Sequence, residues 1–251
     1  MPITIIYAMG DREVSYFCFM KLIEKNIIPK LILCPKTTNN TYISKIKVEF
    51  PDIPFIEGLK FRNAENLNII KELQVDYIIS ILYPYIYKKP IFDFVKIGIL
   101  NLHPAYLPYN RGWNGVSWCI IDNTPIGATL HWIDENIDTG NICFQEQLKI
   151  EPYYTADIIY KKLIDIEKEL FIKSLPYIIN KTLPNIEQKN ENATSYKKKD
   201  LDNVRKIEYN ESNAKLIDKL RALTTNNINE GAYFYKNGIK YLVQVNIIES
   251  T

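Results

Sequence analysis

Residues 3–9, ITIIYAM, form an unbroken apolar run rich in β-branched residues, and Gly10-Asp11 ends it. A run that short and that apolar fits a strand buried on both faces, as in parallel sheets covered by helices. EVSYFCFMKLIEKN follows with apolar residues at helical spacing. LILCP (31–35), a polar loop and SKIKVEF (44–50) come next. IPFIEG reads as a strand, NLNIIKELQ as a helix, and DYIISILY (76–83) and KIGILNLHP (96–104) as strands. This alternation predicts an α/β fold with a Rossmann-like, doubly wound, mostly parallel sheet.

Past Trp113 the rhythm changes. Residues 114–122 fit a helix, and IGATLHWID (126–134) and NICFQEQLKI (141–150) each alternate. Two consecutive strands with no helix between them predict an antiparallel pair. TADIIYKKLIDIEKELFIKSLPYII (155–179) is a long amphipathic helix. Composition shifts near residue 181 to a polar, Pro/Asn-rich segment. The chain therefore divides into a main domain, 1–180, and an appendage, 181–251, of linker, small helix and β-hairpin. NAKLIDKLRAL (213–223) is the helix, and AYFYKNGIKYLVQV (232–245) is a hairpin turning at Asn237-Gly238. A lone hairpin is not stable, so this one packs on its own domain or on a partner chain.

Charge and cysteines narrow the function classes. The net charge is +2, so no overall basic field points to nucleic acid. Lys197-Lys198-Lys199 reads as a solvated linker. Cys18, Cys34, Cys119 and Cys143 are widely spaced with no C-x-x-C pair; three sit among apolar neighbours, and they read as buried small hydrophobes in a reducing compartment, with a zinc site of widely spaced Cys and His as the lesser reading and no metal expected. The N-terminus has no basic n-region, and no apolar stretch approaches the ~18 residues of a membrane span. A cytoplasmic protein without a membrane association is expected. N-x-[ST] matches at Asn39, Asn192 and Asn210 are then chance.

The chain holds two histidines, so their surroundings are informative. Asn101 and His103 lie two apart at the end of an apolar strand that Pro104 stops. Period 2 puts both side chains on one face, at the carboxyl end where open α/β sheets hold ligands. A carboxamide donor beside an imidazole there makes an oxyanion site with a proton carrier. The loop Asp134-Glu135-Asn136-Ile137-Asp138-Thr139-Gly140 offers carboxylates to orient such a histidine. Spacing does not rank Asp134, Glu135 and Asp138. His131, between Leu130 and Trp132, reads as a structural histidine on a sheet face, with a second active-site base as the other reading.

Asn101-Leu-His103-Pro-Ala-Tyr-Leu-Pro108, Arg111-Gly112, Gly127-Ala-Thr129-Leu-His131 and Ile137-Asp138-Thr139-Gly140 together resemble the 10-formyltetrahydrofolate-dependent formyltransferase family. Motif order and spacing agree over about residues 75–150, and Ala8-Met9-Gly10 resembles that family's first strand turn. The resemblance implies a catalytic trio of Asn101, His103 and Asp138, which selects one carboxylate of the three. It implies 10-formyltetrahydrofolate as formyl donor and no metal. It places the folate against SILYPYIYKKP (80–90), with Tyr83, Tyr85 and Ile86, and under the 133–138 loop with Asp134.

The family spans several acceptors. Methionyl-tRNA enzymes usually carry a larger basic C-terminal domain, and glycinamide ribonucleotide enzymes are shorter. Leu220-Arg221-Ala222-Leu223, then Gly231-Ala232-Tyr233-Phe234-Tyr235 and a hairpin, are similar to the tails of sugar-nucleotide N-formyltransferases, where the tail often builds a homodimer. The expected acceptor is a dTDP-linked 4-amino-4,6-dideoxyhexose, foremost dTDP-4-amino-4,6-dideoxyglucose, with a 3-amino isomer or a UDP sugar as alternatives. Its product would serve surface polysaccharide such as lipopolysaccharide O-antigen. Arg111, and Arg12 beside Gly10 at a helix N-terminus, are candidates for the diphosphate. Trp113 is a candidate for stacking on the base or sugar. Methionyl-tRNA or glycinamide ribonucleotide formylation, and a non-catalytic folate-binding module, are the competing readings.

Overall fold

The structure is a computed structural model that describes residues 2–36, 41–208 and 210–250, so the Asn39 sequon and most of the polar loop before it fall outside the described residues. The first half alternates β1 (Ile5–Met9), α1 (Glu13–Glu24), β2 (Leu31–Cys34), α2 (Tyr42–Glu49), β3 (Phe55–Glu57), α3 (Ala64–Glu72), β4 (Tyr77–Ile81), α4 (Ile91–Phe94) and β5 (Gly98–His103). β6 (Arg111–Gly112), α5 (Gly115–Ile121), β7 (Ile126–Trp132), β8 (Ile142–Leu148) and α6 (Ala156–Asn180) follow. The chain ends with β9 (Ser195–Tyr196), α7 (Asn213–Ala222), β10 (Ala232–Lys236) and β11 (Ile239–Val243).

Seven strands form one sheet in the order β3-β2-β1-β4-β5-β7-β8. Pairs from β3 to β5 are parallel, and β7 runs antiparallel to β5. This is the mostly parallel α/β sheet that the sequence predicts. β1 and β4 are buried along their whole length, as unbroken apolar runs require. In β5 the pattern differs: Leu100 and Leu102 are buried while Asn101 and His103 are half-buried. No helix among the described residues is long and apolar enough to cross a membrane.

The chain falls into two compact units. The first comprises residues 1–103, 129–144 and 167–187; the second, 104–128, 145–166 and 188–251. These bounds differ from a cut at residue 181, because the C-terminal segment shares its core with earlier chain.

The first unit has Ile6, Leu33, Phe61, Ile78 and Ile99 in one apolar core. Tyr7 donates its hydroxyl to the Ser15 carbonyl at 2.6 Å, and Ser15 Oγ donates to the Ile81 carbonyl at 3.0 Å, which fastens α1 to the sheet.

The second unit packs Cys119, Ile120, Ile126, Ile159, Leu163 and Ala222 together. Its polar C-terminal stretch is not a free linker. β9 pairs in parallel with β6, and Tyr196 stacks on Trp118 at 4.2 Å between ring centroids. The hairpin forms as expected, with Asn237 and Gly238 at φ +53° and +78°, the mirror-image turn that an Asn-Gly pair favours. It packs within its own chain: Tyr233 accepts from Ile207 N at 2.7 Å and donates to the Arg205 carbonyl at 3.0 Å. Tyr235, Ile239 and Tyr241 stay exposed. All four cysteines are free and buried, and burial pushes the Cys34, Cys119 and Cys143 thiols up to about 12.

Candidate active site

The half-buried face of β5 ends at His103, and β7 lies beside it with Asn101 directly opposite His131 and His103 opposite Thr129. The loop from β7 to β8 brings Asp138 to the same place. Asp138 Oδ2 lies 3.5 Å from His103 Nε2, and Oδ1 lies 3.7 Å from His131 Nε2. Asn101 Nδ2 is 3.1 Å from His131 Nε2. All four side chains belong to the first unit.

His103 Nε2 is buried and makes no hydrogen bond among the described residues, while it faces Asp138 at ion-pair distance. The carboxylate is thus in position to orient the ring. His131 differs. It is 1% exposed, and burial pulls its pKa down to about 4 even though Asp138 pushes the other way. Burial thus favours the neutral ring.

The loop that carries Asp138 is held from inside. Asp134 accepts from Asn136 N at 2.9 Å and from Thr139 Oγ1 at 2.7 Å. This turn holds Asp138 at φ +54°, a left-handed backbone that costs a side-chain-bearing residue about 1 kcal/mol or more. Gly140 ends the loop where no Cβ fits: one would lie 1.9 Å from the Trp132 carbonyl oxygen. Glu135 points elsewhere, into an exposed pair with Lys89 at 3.2 Å.

Residues 21–175 match the family described as Formyl transferase, and residues 200–249 match the N-formyltransferase dimerization C-terminal domain. The chain belongs to the formyl transferase family. It is 31% identical over 151 residues to a dTDP-4-amino-4,6-dideoxyglucose formyltransferase of Mycobacterium tuberculosis, covering 59% of this chain and 64% of that one. It is 33% identical over 186 residues to a methionyl-tRNA formyltransferase of Rickettsia prowazekii, covering 74% and 59%. The chain thus spans less than two thirds of the length of these curated relatives. Its fold matches that of an N-formyltransferase from Helicobacter canadensis, solved with folinic acid and dTDP-3-aminofucose, with a TM-score of 0.76, 22% identity, and 94% and 85% of the two chains covered.

In this member of the formyl transferase family the other expected site residues fall in different settings. Tyr83 and Tyr85 are half-buried and form an aromatic cluster with Phe61 and Tyr87, while Ile86 is exposed. The Tyr83 hydroxyl is buried without a hydrogen-bond partner among the described residues, and burial raises its pKa strongly. Asp134 was expected to face the folate, yet its carboxylate is used inside the loop. Gly10 has a packing role, since a Cβ there would lie 2.3 Å from the Leu82 carbonyl oxygen. Arg12 is exposed at the start of α1.

Arg111 departs furthest from expectation. It is buried, and its Nε and Nη2 donate to Gln188 Oε1 at 3.2 and 2.7 Å and its Nη2 to Asn190 Oδ1 at 2.8 Å. The guanidinium expected at a diphosphate ties β6 to the segment at 188–190. Trp113, in the same unit, is 46% exposed, with Lys198 Nζ 5.3 Å from its ring centroid.

Two residues were missed. Asp11 caps α2 from outside, its carboxylate accepting from Thr41, Tyr42 and Ile43 N at 2.8–3.1 Å. Thr139 clasps Asp134. The D-x(4)-T spacing carries the second signal, whereas nothing in the sequence marks the first.

Proposed function

We propose that this chain transfers the formyl group of 10-formyltetrahydrofolate to the amine of a nucleotide-linked amino-dideoxy sugar, foremost dTDP-4-amino-4,6-dideoxyglucose. The observation that carries the reading is the meeting of Asn101, His103 and Asp138 at the end of β5 in a member of this family. The sugar acceptor is supported by the 31% identical relative and by the match over residues 200–249.

The folate, when bound, supplies an activated formyl carbonyl. The aromatic surface of Tyr83 and Tyr85, with an unpartnered Tyr83 hydroxyl, fits a flat ring bearing polar edges. Asn101 donates an N–H to a carbonyl oxygen as it gains negative charge, and a protonated His103 supports the same charge. Asp138 stabilises the His103 cation, and the pair moves the proton released by the attacking amine to the folate nitrogen whose bond to the formyl carbon breaks, which releases tetrahydrofolate. Arg12, at the start of α1, is the proposed contact for the diphosphate. The enzyme acts in the cytoplasm as a homodimer, and its product feeds surface polysaccharide.

Purified protein given 10-formyltetrahydrofolate and a panel of amines tests this. Release of tetrahydrofolate with a dTDP-amino sugar is expected. Formylation of Met-tRNA or glycinamide ribonucleotide, with none of the sugars, rejects the acceptor. No turnover with any amine leaves a folate-binding module. For the dimer, Ile239→Asp on the exposed hairpin should shift sedimentation to a monomer, and an unchanged dimer places the interface elsewhere.

A further inference from the structure

His131 is more than a satisfied core histidine. Its Nδ1 lies 2.7 Å from the Trp132 carbonyl oxygen, which only accepts, so Nδ1 carries the ring proton. Burial keeps the ring neutral, so Nε2 is left bare and can only accept. The atom 3.1 Å from it is then the Asn101 amide nitrogen and not its oxygen. A carboxamide is nearly symmetric in shape, and packing alone does not choose between its two faces. A one-way acceptor does.

We propose that His131 is a positioning residue: the Trp132 carbonyl fixes its tautomer, and its bare Nε2 fixes the Asn101 carboxamide so that an N–H faces the reacting carbonyl. The direct opposition of Asn101 and His131 across β5 and β7 makes this possible. The second Nδ2–H of Asn101 is left for a ligand oxygen. A flipped amide would present its own oxygen to a developing negative charge and repel it. The groups that face His131 are Asp138, with Oδ1 at 3.7 Å, and His103, with ring centroids 6.2 Å apart. Neither donates to Nε2 in this arrangement, so Asn101 is its hydrogen-bond donor.

The inference rests on the formyl-transfer reading for its effect on rate, and on spectroscopy alone for its geometry. His131→Phe removes the acceptor at similar bulk, and His131→Gln keeps one. His131→Phe should lower kcat about 10-fold or more, short of the ~10²–10³ for losing an oxyanion donor itself, with KM for both substrates unchanged. His131→Gln should recover most of that loss. In an Asn101→Ala background His131→Phe should change kcat less than about 2-fold, because the two residues act as one unit. Equal losses in both backgrounds would mean a merely structural role and overturn the proposal. Should His131→Phe not fold, the wild-type ring decides: ¹⁵N–¹H spectra of the histidines should show Nδ1 protonated and Nε2 bare. An Nε2–H tautomer overturns the geometry even if no formyl acceptor is ever found. A bare Nε2 with no transfer to any amine overturns only the function.

Discussion

Asp138 holds its backbone at φ +54° while its carboxylate lies 3.5 Å from His103 Nε2. A left-handed aspartate is costly outside a turn that dictates it. Here Asp134 and Thr139 build that turn, so the strain is fixed in the loop where the carboxylate meets the ring. Asp138→Asn keeps the shape and removes the charge. Turnover should fall by about 10² or more, since the ring loses the charged partner that faces it, while the thermal midpoint stays within a few degrees. Steady-state rates and calorimetry on the same sample check this. Asn101→Ala and His103→Ala should behave alike, and a folded His103→Ala protein with near-normal turnover would contradict the assigned role.

Gly140 ends the loop for a steric reason. A Cβ there would sit 1.9 Å from the Trp132 oxygen, which is backbone and cannot swing aside. Gly140→Ala should therefore displace the segment carrying Asp138 and lower both kcat and stability. Gly238 in the hairpin is the control, with open space around its Cβ but φ +78°. Gly238→Ala should cost only about 1 kcal/mol of backbone strain and leave kcat alone. Thermal melts and rates on both variants separate the two effects.

The sheet was legible because β1 and β4 are buried on both faces, and only unbroken apolar runs satisfy that. The hairpin was legible because Asn237-Gly238 meets a backbone demand that few residue pairs meet. Asn101 and His103 could be placed by period 2 alone. Asp138 could not, since Asp134, Glu135 and Asp138 share one loop and differ only in how it folds. The linkage of His131 to Asn101 depends on the register between β5 and β7, strands separated by more than twenty residues, and no local pattern encodes that. Arg111 misled for a related reason. An arginine among Tyr, Asn and Trp looks like a ligand contact, and its partners Gln188 and Asn190 lie almost eighty residues away in a stretch that reads as linker.

Arg111 therefore predicts a stability effect and not an affinity effect. Arg111→Ala strips the donors from two amide oxygens, one of them on the buried Gln188. The cost should be about 2–4 kcal/mol, as for other buried networks that lose one member. Denaturant unfolding reads that loss directly. A protein of normal stability with a raised KM for the nucleotide sugar would return Arg111 to the diphosphate.

Two buried groups shape the pH dependence of stability in opposite directions. Glu167, on α6, is buried with Oε1 unpartnered among the described residues, and burial raises its carboxyl to about 8 from 4.5. Between those values the unfolded chain has released the proton and the folded chain keeps it, so stability falls as pH rises through about 8. His131 is depressed to about 4 from 6.5, so the unfolded chain holds the extra proton and stability falls as pH drops through that window. Stability should peak between the two limbs. Glu167→Gln removes the ionisable group while keeping its shape, and should remove the fall in stability between about pH 4.5 and about 8. Urea unfolding from pH 5 to 9 tests this: the variant should gain on the wild type progressively as pH rises, by about 1 kcal/mol or more at the alkaline end. Parallel curves for the two proteins would show that Glu167 ionises as freely folded as unfolded.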